Sequence, residues 1–181
     1  KGELITYLAG TGIGKSWLLA YAGKSSLTIG KTVLHYTFEL YDHQVGNRYD
    51  AIISNIPINQ ITDHKEEVKL RLKKFSELNK GKLIIKNYPP KSANVTTIRN
   101  HINKLLHYNI VPEIIILDYA DLLNSRRHYE QKRYELESIY EDIRSLAAEL
   151  NVPVVTASQS NRTSIDDEVV TLSSIAEAYA K

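Results

Sequence analysis

The stretch Ala9-Gly-Thr-Gly-Ile-Gly-Lys-Ser16 decides how this chain is read. Ahead of it, Leu4-Ile-Thr-Tyr-Leu8 is a short apolar run that reads as a buried strand. Behind it, Trp17-Leu-Leu-Ala-Tyr-Ala22 reads as a helix packed on a sheet. Strand, glycine-rich turn, Lys-Ser and helix form the context that a phosphate-binding loop requires. Gly10, Gly12 and Gly14 let the backbone turn several N–H groups toward one anion, and the helix N-terminus adds partial positive charge. Lys15 can reach the β- and γ-phosphates, and the Ser16 hydroxyl can ligate Mg²⁺. Ala9, Thr11 and Ile13 complete the loop, Ala9 standing where the usual pattern has a first glycine.

The composition bounds the rest. With 181 residues the chain can bury one sizeable core, and 43% hydrophobic and 24% charged residues are ordinary for a globular domain. A net charge of +2 is too small to argue for nucleic-acid binding by itself. No cysteine is present, which removes disulfides and thiolate metal sites and fits a reducing compartment. No apolar run approaches the ~18 residues that span a membrane, and no signal peptide is visible. The chain starts at Lys1 without Met and stops at Lys181 inside a helical pattern. We therefore expect one domain over 1–181, truncated at both ends.

Outward from the loop, strands and helices alternate. Thr32–Phe38, Lys82–Tyr88, Glu113–Tyr119 and Val152–Ser158 read as further strands. Helices are expected over 42–55, 62–79, 95–108 and 129–150, with a last helical stretch at Leu172–Tyr179. In the second of these, Val68, Leu70, Leu72, Phe75 and Leu78 are taken as the apolar face and Asp63 as the N-cap. This order argues for an α/β fold, a mostly parallel sheet with helices on both faces and ligands at the carboxyl ends of its strands.

Four strand ends carry candidate chemistry. The first holds the phosphate loop. Asp118 closes an apolar strand at a position suited to hold Mg²⁺, directly or through water. Glu39, after the second strand, could orient and activate a water; a solvated strand-end Glu is the plain alternative. Gln159, after the fifth, has an amide that can donate to a γ-phosphate, or it is an ordinary loop residue. Arg126, Arg127 and Arg162 lie in loops leaving this edge and could meet a nucleic-acid backbone, with surface or subunit contact as the alternative. Lys69, Arg71, Lys73 and Lys74 alternate with Glu66, Glu67 and Glu77 and read as a solvated helix face. No histidine has metal-ligand spacing, and His35 reads as packed.

Taken together, Gly2–Ser16, Tyr36-Thr-Phe-Glu-Leu40, Ile115-Ile-Leu-Asp-Tyr119 and Val152–Arg162 resemble the ordered motifs of DnaB-type replicative DNA helicases. Gly81–Pro89, Ser125-Arg-Arg127 and Ser173-Ser-Ile-Ala-Glu177 look nearest to the T-even-phage branch. The resemblance implies a RecA-like P-loop ATPase that hydrolyses Mg-ATP, assembles as a hexameric ring and moves along single-stranded DNA. It implies phosphate and Mg²⁺ contacts at Lys15 and Ser16, metal support from Asp118, Glu39 as catalytic carboxylate and Gln159 as γ-phosphate sensor. It further implies primase and helicase-loader partners, no membrane, and the cytoplasm of a bacterial cell or phage-infected host. A neighbour-directed arginine finger would lie beyond Lys181. A RecA-fold ATPase of recombinase or clock type remains the alternative.

Overall fold

The computed structural model describes residues 2–159. Five strands form one all-parallel sheet: β1 (Leu4–Ala9), β2 (Val33–Thr37), β3 (Leu83–Asn87), β4 (Ile114–Asp118) and β5 (Val154–Gln159). Their spatial order is β1-β5-β4-β2-β3. The helices are α1 (Lys15–Thr28), α2 (Asp42–Ser54), α3 (Lys65–Leu78), α4 (Val95–His107) and α5 (Lys132–Leu150). Single 3-10 turns stand at Ile58–Gln60 and Ala120–Leu122.

The connections explain which face each helix takes. From β1 to β2 to β3 the chain moves one way across the sheet, then returns through β4 to β5. Right-handed crossovers put helices on opposite faces when the direction of travel reverses. Accordingly Leu19, Ala20 and Leu27 of α1 and Val45 and Tyr49 of α2 pack with Val33, Ile116 and Val155 on one face. Ile98 and Ile102 of α4 and Ile139, Ile143 and Leu146 of α5 pack with Leu34, Tyr36, Ile115, Leu117 and Val154 on the other. Burying each such aliphatic side chain stabilises the fold by about 2 kcal/mol. Strand β2 is buried at every position, as a central parallel strand covered on both faces must be.

The α/β class, the parallel sheet and all five expected strands are present. Three details differ. Helix α3 starts at Lys65 behind His64, not behind an Asp63 cap, and His64 makes no side-chain capping bond. Its inward stripe is Val68, Leu72 and Phe75, while Leu70 is 68% and Leu78 74% exposed. At 100° per residue the latter two project away from the Val68 line. Helix α5 begins at Lys132 instead of residue 129. Asn151 closes this helix in the left-handed conformation, with φ 52°. The expected terminal helix at 172–179 and Arg162 lie outside the described residues.

Candidate nucleotide-binding site

Everything at the candidate site hangs from the carboxyl edge of the sheet. Strand β1 delivers Gly10 into the loop, and α1 starts immediately after Gly14. Gly12 and Gly14 take φ values of 78° and 91°, a region that costs a side-chain-bearing residue strain and glycine none. Gly14 acts as N-cap, and its carbonyl accepts from the N–H groups of Trp17 and Leu18 at 2.9 and 3.0 Å. The Lys15 ammonium donates to the carbonyls of Ala9 (3.1 Å) and Gly10 (2.7 Å), so it lies over the loop.

Parallel register brings the other strand ends alongside. Thr37 pairs with Asp118, and Ala9 pairs with Gln159. The Ser16 hydroxyl donates to Asp118 Oδ1 at 3.0 Å, joining the first turn of α1 to the end of β4. The Gln159 amide donates to the Thr11 hydroxyl, joining the end of β5 to the loop. Burial pushes the Asp118 carboxyl up to about 6, against the Ser16 hydrogen bond and the Arg48 charge, which both favour the anion. The Asp118–Tyr119 peptide bond is cis. Thr11, Gly12, Gly14, Lys15, Ser16 and Glu39, with Trp17, Leu40, Arg48, Tyr119 and Gln159, line one open cleft of about 320 Å³.

The cleft therefore unites Lys15, Ser16, Glu39 and Gln159 with Asp118 behind Ser16. The donor set suits Mg²⁺, which takes one or two protein oxygens and completes its shell with phosphate oxygens and water. Among the described residues no group of three or more His, Cys, Asp or Glu could hold a metal ion by itself.

Other candidates fall differently. Arg126 is engaged by Asp142 of α5 through both of its carboxylate oxygens, one contact at 2.8 Å. Arg127 is exposed and makes no ion pair among the described residues. Lys69 and Arg71 pair with Glu66 and Glu67 on the solvent face of α3, as a solvated stripe should. His35 is buried, bonded through Nδ1 to the Tyr49 hydroxyl at 2.9 Å, and pushed down to about 3 by burial with the Arg48 charge adding to it.

Two residues of the site carry no signal in the sequence. Asp121 accepts from Tyr140 (2.7 Å) and Ser158 (3.0 Å) hydroxyls and from the Gln159 N–H (3.3 Å), so it holds the end of β5. Arg48 reaches the cleft from α2. Neither sits at a motif position: one is an Asp three residues past β4, the other an Arg inside an amphipathic helix.

Comparison with known proteins fits this arrangement. The model of the DnaB-like helicase C-terminal domain matches residues 1–177. The chain belongs to the DnaB-like helicase C-terminal domain family. A DnaB-like replicative helicase of Enterobacteria phage T4 is 33% identical over 185 residues, covering 98% of this chain and 39% of that protein. The replicative DNA helicase DnaB of Helicobacter pylori strain 26695 is 23% identical, covering 98% of this chain and 37% of that protein. The chain thus spans less than half the length of either relative. Two solved structures share the fold with a TM-score of 0.79 at 17% identity over 96% of this chain. One is a DnaB-like replicative helicase studied with its interactions with primase, of which 43% is covered; the other is an isolated ATPase domain, covered to 63%. The higher identity to the phage T4 protein accords with the T-even-like motifs of this DnaB-type domain. No helix among the described residues is long and apolar enough to cross a membrane.

Proposed function

We propose that this DnaB-type domain is the ATP-driven motor of a replicative helicase, hydrolysing Mg-ATP to move along single-stranded DNA and open the duplex. The observation that carries the reading is the convergence of the phosphate loop, Ser16–Asp118, Glu39 and Gln159 on one cleft.

In this reading the loop N–H groups and the Lys15 ammonium hold the β- and γ-phosphates. Ser16 and Asp118 would hold Mg²⁺, which would supply positive charge to offset that of the phosphate oxygens. Glu39 has no hydrogen-bond partner among the described residues and faces the cleft, free to orient a water in line with the γ-phosphorus. The water oxygen bonds to phosphorus as the bond to the β,γ-bridging oxygen breaks. The water proton passes to the Glu39 carboxylate, and ADP leaves with the electron pair. Gln159 bridges the phosphate loop and the end of β5, so the loss of the γ-phosphate reaches the segment that follows. Catalysis here is positioning and charge neutralisation.

A hexameric ring, a neighbour's arginine at the cleft, and primase and loader contacts belong to the same proposal. Of the basic loop residues, Arg127 is the better DNA contact, because Arg126 is occupied by Asp142. The test is the ATP hydrolysis rate with and without single-stranded DNA across a salt series. Strong stimulation that fades with salt is expected, because backbone contacts release counterions. Turnover indifferent to DNA would overturn the motor reading and favour a recombinase- or clock-type ATPase.

A further inference from the structure

The Asp121 carboxylate gathers three donors from two elements. Its Oδ1 accepts from the Tyr140 hydroxyl of α5 at 2.7 Å. Its Oδ2 accepts from the Ser158 hydroxyl at 3.0 Å and from the Gln159 N–H at 3.3 Å, both at the end of β5. The ladder between β4 and β5 stops at the Leu117–Thr156 pair, three residues short of the end of β5. Past that pair the chain after β4 turns off into Ala120–Leu122, and the Asp121 side chain takes the place of the missing strand. A carboxylate there is a stronger acceptor than the backbone carbonyl it replaces.

Gln159 is thereby held from two sides. Its side-chain amide donates to Thr11 of the phosphate loop, and its backbone N–H donates to Asp121. Asp121 in turn opens the segment that reaches Arg127 six residues later. That segment is clasped to α5 twice, by Asp121 on Tyr140 and by Arg126 on Asp142. Ala120 and Leu123, on either side of the Asp121–Leu122 pair, are fully buried, so the turn is anchored in the core. A continuous chain of contacts runs from Thr11 through Gln159 and Asp121 to the Arg127 loop. A phosphate that draws the Gln159 amide away from Thr11 acts on the residue whose backbone Asp121 grips. Coupling between sites travels through contiguous contacts of this kind when they have two arrangements.

We propose that Asp121 is a positioning residue that ties the end of β5 to the segment after β4, so that the nucleotide held at the phosphate loop sets how firmly the Arg127 loop holds single-stranded DNA. This rests on the motor reading above. Asp121 touches neither ligand and acts only through Gln159 and its own segment.

The test measures a coupling factor on the full chain. The affinity for a fluorescently labelled oligothymidylate is determined with Mg²⁺, in the absence and presence of a non-hydrolysable ATP analogue. The affinity for the analogue is determined with and without oligothymidylate, and linkage requires the two ratios to agree. The unaltered protein should show a factor of about fivefold or more, and Asp121→Ala should bring it within about twofold of unity. A merely structural Asp121 would lower stability or weaken both ligands and leave the ratio in place, and that result overturns the inference. Asp121→Asn keeps the outline of the side chain and removes one acceptor oxygen; it should lower the factor too, and it decides the matter should the alanine variant fail to fold. If the unaltered protein binds nucleotide but not oligothymidylate, the motor reading falls and this inference with it. If it binds both independently, Asp121 has nothing to transmit and the inference falls while both sites stand. If it couples them and the substitutions leave the factor unmoved, the Asp121 assignment alone falls.

Discussion

Ser16 Oγ stands 3.0 Å from Asp118 Oδ1, a hydrogen bond between residues 102 positions apart that ties the phosphate loop's helix to the end of β4. It places the two oxygens suited to a divalent ion side by side and makes the state of Asp118 a property of the whole site. Replacing Ser16 with Ala removes the hydroxyl and leaves the aspartate intact. Mg²⁺-dependent nucleotide affinity should fall about tenfold or more, with little change in binding measured in EDTA. Equal loss with and without Mg²⁺ would contradict the ligand role.

The Asp118 carboxyl also sets a pH dependence. Burial raises it from 3.8 to about 6 in the folded chain. Between those values the folded state holds a proton that the unfolded state has released. The stability from this group is therefore fully present below about pH 4 and is lost as pH rises through about 6, a cost of up to about 3 kcal/mol. In nucleotide-free protein, Asp118→Asn should be more stable than the unaltered chain at about pH 8 and close to it at about pH 4. Denaturant unfolding at the two pH values checks this, and a less stable variant at the higher pH would contradict it. With Mg-ATP present the order should reverse, because the ion compensates the carboxylate.

Gly23 is a packing requirement. A methyl group there would sit 2.0 Å from the Tyr49 hydroxyl oxygen and 2.8 Å from its ring carbon. Alanine would gain up to about 1 kcal/mol of helix propensity but lose more to overpacking, about 1–3 kcal/mol. Gly23→Ala should therefore destabilise the fold by moving α1 away from α2. Tyr49→Phe removes the clashing oxygen while leaving His35 Nδ1 unpaired. The double variant should be less destabilised than the sum of the single ones. Strict additivity in unfolding experiments would show that the clash is relieved elsewhere.

The two arginines beyond β4 should separate. Arg127→Ala is expected to weaken single-stranded DNA binding and lower the salt slope by about one. Arg126→Ala should do less, since its guanidinium is already engaged by Asp142. Equal losses in a salt-series titration would contradict the distinction.

What is legible in the sequence follows from where information is local. The phosphate loop, Asp118 and Gln159 are readable because each follows an apolar run that can only be a strand, and strand ends in a parallel sheet share an edge. Glu39 is readable as a position, not as a role. Arg48 is not, because nothing within α2 tells which of its polar residues turns toward a cleft built by other elements. Asp121 is hidden in the same way, since its partners Tyr140 and Ser158 come from α5 and β5. The Arg126–Asp142 pair depends on how α5 passes the loop, which no spacing records. On α3 the expected apolar face is right in residue type and too wide in angle; Leu70 and Leu78 lie off the buried stripe.

Glu39 is the residue on which the proposed mechanism turns, as the carboxylate that orients the attacking water. Glu39→Gln keeps the shape and removes the charge. Equilibrium ATP binding and steady-state turnover should be measured together on that variant. Binding within about twofold of the unaltered protein with turnover reduced by about a hundredfold or more is expected. Turnover close to that of the unaltered protein, with binding intact, would contradict the assignment and place the catalytic base elsewhere.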